Sequence, residues 1–134
     1  MEEEWIAALI ADEGVAALAG ARVSWAIRSP GDKLPAIVCH LVSRPRRYTF
    51  AGRDGLQDTL VQVDCWATDY LAAKRLARAV EAWTDAGIGG GFVAGFIENE
   101  RDGVERGAAP SAAGPKDLYR TSLDIRVWRE PQEA

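Results

Sequence analysis

The chain has 134 residues and a formal net charge of -4, with 48% hydrophobic and 27% charged residues. These values are those of one folded domain with its own core, so we expect residues 1–134 to form a single domain. The acidic balance disfavours a protein held on DNA by neutralising phosphates. Charges interrupt every aliphatic run well before the roughly 20 residues that cross a bilayer, so we expect no membrane segment.

The first residues and the cysteines indicate where the chain is made. Met1 is followed by three glutamates rather than by the basic start and apolar run of a secretory signal. We therefore expect synthesis in a cytoplasm. In a reducing compartment the two cysteines, Cys39 and Cys65, are expected to be small buried side chains without a disulfide.

Hydrophobic periodicity predicts helices and strands in an alternating order. Helices are predicted at 3–12 and 70–86 with a helical turn at 15–19, and strands at 21–27, 36–43, 56–67, 92–101 and 118–129. In the strand at 56–67, Val61, Val63 and Cys65 should point to a buried face, and the residues between them to a wet one. Trp5, Trp25 and Trp83 fall in phase with apolar stripes and are assigned to the core.

This order predicts an α+β fold. The connections are short and the helices have one apolar face each, which favours a two-layer sandwich. We expect a mostly antiparallel sheet of about five strands with two helices packed on one face. Residues 102–117 are rich in Gly, Ala and Pro, so a long mobile loop is expected there.

The sequence offers no convincing catalytic, cofactor-binding or metal-binding set. His40 follows Cys39 in a predicted strand, so their side chains should point to opposite faces and cannot share a metal. Gly89 to Ala94 has the G-x-G-x-x-A spacing, but it follows a helix and precedes a strand, the reverse of a dinucleotide site. We therefore expect no enzyme activity and no cofactor.

One basic stretch interleaved with aromatic residues is a candidate contact surface. It contains Arg44, Arg46, Arg47, Tyr48, Phe50 and Arg53. Arginine and aromatic residues are enriched where proteins meet partners, and the overall acidity favours a protein partner over nucleic acid. A solvated hairpin tip is the alternative interpretation, and the sequence leaves both open.

Two tryptophans fall on the polar side of their predicted strands. Trp66 lies on the same predicted strand face as Gln62 and Asp64, and Trp128 lies on the same face as Arg126. Large aromatic residues on a wet face suggest burial by another subunit, which makes Trp66, Arg126 and Trp128 candidate interface residues. The alternative is that both tryptophans cover a local patch of their own chain.

Several segments resemble a family of phage tail-completion proteins. They are the stretches at 61–67, 72–77 and 118–128, together with 9–18 and 34–38. Members of this family are tail terminators of phages with long non-contractile tails and of gene transfer agents. The resemblance implies a structural virion protein, assembled in the bacterial cytoplasm, that forms a homo-oligomeric ring of six subunits.

The resemblance also implies partners. Such a ring would cap the head-proximal end of the tail tube, contacting the major tail tube protein and the head-completion or connector protein in a head-tail joining role. DNA would pass through its lumen without specific binding. A small-molecule-binding α+β regulatory domain is the alternative function, and a small hydrolase or transferase is a more distant one.

Overall fold

The structure is a computed structural model that describes residues 1–27, 33–45, 48–49, 52–53, 57–89, 91–109 and 116–129. Three helices and seven strands follow one another along these residues. They are α1 (Glu2–Ala11), α2 (Glu13–Ala19), β1 (Val23–Trp25), β2 (Ala36–Ser43), β3 (Tyr48–Thr49), β4 (Gly52–Arg53), β5 (Gln57–Ala67), α3 (Tyr70–Asp85), β6 (Phe92–Ala109) and β7 (Lys116–Arg129).

Local chemistry sets the helix limits. Three glutamates occupy the first turn of α1, where the partial positive charge of the helix end stabilises them. Asp12 separates α1 from α2, and its carboxylate accepts the Val15 backbone N–H at 3.0 Å as an N-cap. Past the end of α3 the chain turns at Gly87, whose φ of 97° is a conformation that glycine adopts without strain.

Five strands form one open sheet in the order β1-β2-β5-β7-β6. The strands β3 and β4, of two residues each, pair with one another in a separate small sheet. The β1–β2 pair is parallel, and the other pairs in the large sheet are antiparallel. This confirms the predicted α+β fold with a mostly antiparallel five-stranded sheet. The predicted helical turn at 15–19 is a full helix, so three helices are present where two were expected.

The prediction of a long loop at 102–117 is wrong over most of its length. Residues 102–109 are the second half of β6, and Lys116 and Asp117 begin β7. The ladder between these strands continues outward to Glu105↔Leu118 and Ala109↔Lys116. Gly103, Gly107, Ala108 and Ala109 are therefore part of a long two-stranded ribbon, and 110–115 lie outside the described residues.

The helices pack on one face of the sheet around Trp5. The Trp5 ring lies edge-on to Trp83 at 5.0 Å between centroids and to Phe92 at 5.7 Å. Its indole N–H donates to Cys39 Sγ at 3.3 Å, so the one polar atom of this buried ring is satisfied. Trp5 and Trp83 are buried and Trp25 packs against the same core, as predicted.

Both cysteines are free and fully buried on this face. Burial raises the pKa of the Cys39 thiol to about 12 and raises the pKa of Cys65 as well. The neutral thiol is therefore the stable form of each at neutral pH, and both act as small core side chains, as predicted.

An ion-pair cluster joins α3 to β6. Lys74 Nζ lies 2.9 Å from Glu100 and 2.6 Å from Asp102, and Arg78 reaches Glu100 at 2.6 Å. The guanidinium of Arg78 and the ammonium of Lys74 lower the Glu100 pKa from 4.5 to about 2. Because these contacts favour the ionised carboxylate, the cluster stabilises the folded state wherever Glu100 is charged.

We predict that Glu100→Gln lowers the free energy of unfolding at pH 7 by about 1 kcal/mol, the scale of a partly exposed ion-pair network. The folded pKa lies below the unfolded one, so this stabilisation is complete above about pH 4.5 and is lost as the pH falls towards 2. Urea unfolding at pH 7 and at pH 2.5 should show the difference from the parent protein shrinking at the lower pH. Glu105→Gln, an exposed change on the same strand, is the control. If the free energies of unfolding of the variant and the parent protein differed equally at pH 7 and at pH 2.5, the ionised Glu100 carboxylate would not be what stabilises the fold.

Candidate assembly surface

The sheet face opposite the helices carries the candidate surface, and we call it the outer face. In β5 and β7 the even-numbered residues point towards it, since the odd-numbered ones line the core. The outer face of these two central strands therefore contains Asp58, Leu60, Gln62, Asp64, Trp66, Leu118, Arg120, Ser122, Asp124, Arg126 and Trp128. All three outer-face interface candidates from the sequence, Trp66, Arg126 and Trp128, lie on it.

Asp64 is the centre of a hydrogen-bonded network on the outer face. Its carboxylate accepts the Ser122 hydroxyl at 2.6 Å and the Gln62 side-chain amide at 2.8 Å. The second carboxylate oxygen lies 3.2 Å from His40 Nε2 on the neighbouring strand β2. Asp64 is only 3% exposed and Ser122 is fully buried. The expectation of a wet face is therefore wrong here, because neighbouring side chains cover these polar groups and satisfy them.

Two arginines tie the outer face together across strands. Arg126 on β7 bridges the buried Asp58 of β5, at 2.7 Å, and Glu98 of β6. Arg101 on β6 binds Asp124 and donates to the Gln62 amide oxygen at 2.8 Å. Each guanidinium thus joins side chains of two other strands, a geometry suited to its planar fork.

Trp66 stands at the end of the outer face where β5 finishes. The Arg120 guanidinium lies 5.4 Å from the centre of the Trp66 ring, within cation–π range. Gly103 lies opposite Arg120, and a Cβ there would come within 2.5 Å of that guanidinium. Trp66 also borders a depression of about 230 Å³ lined by Ile27, Val38 and His40. The ring is accordingly largely covered by its own chain and only partly exposed.

Trp128 and Arg126 mark the opposite end of the outer face. Trp128 pairs with Asp58 on β5 and with Ala94 on the edge strand β6. Phe96, two residues along β6, faces Arg126 and remains 58% exposed. Sequence reasoning did not identify Phe96, because the hydrophobic alternation of β6 is interrupted by register shifts at Phe92/Ala94 and Ile97/Asn99.

The structure describes part of the predicted basic hairpin. Arg44 binds Glu2 of α1 at 3.1 Å, so this residue anchors the hairpin base to the first helix. Tyr48 and Arg53 pair in the β3–β4 ladder. Arg46, Arg47 and Phe50 lie outside the described residues. The hairpin leaves the sheet beyond Ser43 of β2 and returns at Gln57 of β5, next to the end that carries Trp128.

The charged side chains of the outer face are held by ion pairs and hydrogen bonds to one another. Over the described ranges no three histidine, cysteine, aspartate or glutamate side chains gather where they could hold a metal ion. His40 and Ser122 both contact Asp64, so the carboxylate lies between them and does not leave a serine next to a histidine base. The helices in the described part of the chain are too short or too polar to cross a membrane.

We predict that Asp64→Asn lowers the free energy of unfolding by about 1–3 kcal/mol, because the amide cannot accept all the hydrogen bonds that end on this buried carboxylate. Equilibrium urea unfolding at pH 7 measures the change. Asp69→Asn is the matched control: Asp69 is exposed, its side chain makes no cap hydrogen bond to α3, and the change should stay within about 0.5 kcal/mol. Equal effects of the two changes would show that the Asp64 network is not structural.

The chain is similar to one known protein family and to a solved structure. A sequence profile described as Tail completion protein gp17 matches residues 4–130. Among solved structures, a chain of the "Virion of native gene transfer agent (GTA) particle" has the same fold, with a TM-score of 0.59 and 22% sequence identity over 98% of this chain and 95% of that one. No curated protein sequence matches the chain. The profile match confirms the resemblance seen in the sequence.

Proposed function

Because the chain belongs to the tail completion protein gp17 family, and is thus a structural virion protein of a phage-type tail, we propose that it is the tail terminator. In this role copies of the chain form a closed ring, with six subunits as the expected number. The ring caps the head-proximal end of the tail tube and joins it to the head-completion protein. It performs this role by contact alone and catalyses no reaction.

The family match over nearly the whole chain is the observation that carries this proposal. The position of the two hairpins supports it. The connection from β2 to β5 leaves the sheet near the Gln57↔Arg129 pair, whereas the ribbon of β6 and β7 extends past the Ala67↔Tyr119 pair at the other end. A subunit with projections at both ends of one sheet can contact one partner on each side of a ring.

The outer face supplies the proposed contact with a neighbouring subunit. Trp66 and Trp128 are large, partly exposed rings at its two ends, and Arg126 lies beside Trp128. The ion pairs between strands hold these groups in place before assembly, which reduces the entropy lost on binding. The basic hairpin, with Arg44, Arg46, Arg47, Tyr48, Phe50 and Arg53, is proposed to contact either the next subunit or the tube.

The charge distribution is compatible with DNA passing through such a ring. The chain is acidic overall, and the outer-face arginines Arg101 and Arg126 are bound to carboxylates of the same face. Guanidinium groups paired in this way add little of the salt-dependent affinity that phosphate contacts give. We therefore propose that DNA crosses the lumen without being held.

Truncating the outer-face tryptophans should weaken assembly more than folding. For Trp128→Ala we predict a loss of about 2 kcal/mol per subunit contact, or roughly 30-fold in affinity, since buried aromatic anchors dominate interfaces. Trp66→Ala should act in the same direction. Mass photometry reports assembly, and thermal unfolding of the monomer is the control. A fall in melting temperature with unchanged assembly would place these rings in the core of the monomer instead.

Charge reversal in the hairpin tests the second proposed contact. The double change Arg46→Glu and Arg47→Glu should reduce ring or tube binding at least tenfold while leaving urea unfolding unchanged. Arg75→Glu, at an exposed position on α3, is the matched control and should leave assembly intact. If the hairpin variant assembles like the parent protein, the hairpin is a solvated tip.

Native mass spectrometry with and without the major tail tube protein tests the function as a whole. The proposal expects a closed ring of a single stoichiometry, formed at high concentration or once tube protein is added. A stable dimer that binds a metabolite saturably would contradict it and would favour the regulatory-domain alternative. A chain that stays monomeric with every tail component would also contradict it.

A further inference from the structure

Arg120 differs from the other arginines of the outer face because its guanidinium has no acidic partner. Arg101 and Arg126 each bind carboxylates of the same face. Over the described ranges the Arg120 guanidinium forms no ion pair and no hydrogen bond, and its Nε is buried. Its Nη1 and Nη2 atoms also lack a partner but are not buried, so their N–H groups are open to a ligand. A charged donor without a partner on a largely covered face favours an anion from another molecule.

Trp66 and Gly103 hold this guanidinium in one place. It lies 5.4 Å from the centre of the Trp66 ring, within cation–π range. It also lies against Gly103, where a Cβ would come within 2.5 Å of Nη2. Both residues are register partners of Arg120, on β5 and on β6. The planar fork is therefore positioned before a ligand arrives, which lowers the entropy cost of binding.

The depression of about 230 Å³ beside Trp66 adds an apolar part to this site. The side chains of Ile27, Val38 and Leu118 line it. Ile27 is 75% exposed, more than any other large apolar side chain in the described part of the chain. The preceding residue, Ala26, has a φ of 73°, and the Ile27 N–H donates to the Trp25 carbonyl at 2.9 Å in a tight turn. This turn places Ile27 at the rim of the depression.

The spacing of the two parts fits an extended peptide. Leu118 and Arg120 lie two residues apart on one face of β7, which is roughly 7 Å at about 3.3 Å per residue. Side chains two residues apart on an extended segment have the same spacing and point to the same side. Such a segment can therefore place an acidic side chain at Arg120 and an apolar side chain in the depression.

Charge and polarity favour a peptide carboxylate over a nucleic-acid backbone. Glu105 also lines the depression, and it would repel a row of phosphates. DNA carries a phosphate for about every 1.7 Å of its axis and has no apolar side chain to fill the depression. A single carboxylate meets the Arg120 guanidinium alone.

We propose that Arg120, Trp66 and the adjoining depression bind an extended segment of a partner protein, in which an acidic and a large apolar residue stand two positions apart. The carboxylate accepts hydrogen bonds from Nη1 and Nη2 of Arg120, and the apolar side chain fills the depression. The inference goes beyond the proposed ring, because it names the chemistry that this end of the outer face recognises and holds for any number of subunits.

A peptide titration tests this site. The probe is an acetylated tripeptide amide of glutamate, serine and leucine, in that order. Two-dimensional NMR follows the Trp66 indole N–H signal, which is identified by its loss in Trp66→Phe. We expect a shift that saturates. A peptide with glutamine in place of glutamate should bind about tenfold more weakly, since the charged hydrogen bonds are lost. A peptide with serine in place of leucine should also bind more weakly, because the depression then stays empty.

Three results of this titration overturn the inference. They are the absence of a saturable shift with the glutamate peptide, equal binding of the glutamine peptide, and an equal shift with inorganic phosphate. The last of these would show that the site takes any anion.

Two substitutions separate ligand binding from a structural role of Arg120. Gly103→Ala keeps Arg120 but puts a methyl group where its Nη2 lies, so the guanidinium must move. Arg120→Lys keeps the charge and removes the planar fork. Each should weaken binding of the glutamate peptide about tenfold. Arg75→Lys, at an exposed position on α3, is the matched control and should leave binding unchanged.

Urea unfolding checks that the variants fold. The midpoint for Gly103→Ala should equal that of the parent protein, because only the end of a flexible side chain has to shift. Binding like that of the parent protein in both variants overturns the inference.

Native mass spectra with tube protein test the proposed function separately. Rings in the parent protein together with no peptide binding overturn this site and leave the terminator proposal intact. Peptide binding without any ring supports the site and contradicts the terminator proposal.

Discussion

The helices cover only one face of the sheet, and this constraint determines the rest of the molecule. Trp5 brings α1 against α3 and the sheet by packing edge-on to Trp83 and Phe92 and donating to Cys39. The main apolar core is therefore buried between the helices and the sheet. In the part of the chain that the structure describes, no second layer covers the opposite face, so its buried polar groups must be satisfied within the face or by another molecule.

The outer face meets most of this requirement with interstrand bonds between its own side chains. Within the described residues, Arg120 Nε and Asp124 Oδ1 are buried on this face without a hydrogen-bond partner. Asp64 collects hydrogen bonds from Gln62 and Ser122, and the paired arginines span three strands. These bonds link the strands of the outer face to one another, while Trp66 and Trp128 stay partly exposed and Phe96 is exposed. These properties suit the proposed terminator, whose contact surface would bind a completed tube without rearranging.

The sequence predicted the helices and strands that have strong hydrophobic periodicity. It did not predict the features that depend on side-chain packing or on pairing between strands. The alternation in 118–129 and the stripe of α3 located β7 and the last helix to within two residues. The sequence predicted a loop at 102–117 because this segment is rich in Gly, Ala and Pro. That composition does not reveal a strand whose hydrogen bonds come from a distant partner strand. The outer-face position of Trp66 and Trp128 was predicted because both break the polar alternation of their strands; their role in an interface stays a prediction. Phe96 and the burial of Asp64 were missed, since register shifts and interstrand bonds are properties of the sheet and not of one strand.

The central claim is that this chain acts through surfaces that bind copies of itself at one end of a tail tube. Cryo-electron microscopy of tails assembled with the chain tests this most directly, because it shows both where the protein sits and how many copies meet. The account predicts one closed ring at a single end of each tube, with the outer-face tryptophans in its subunit contacts. Density spread along the tube, or absent from its ends, would contradict it.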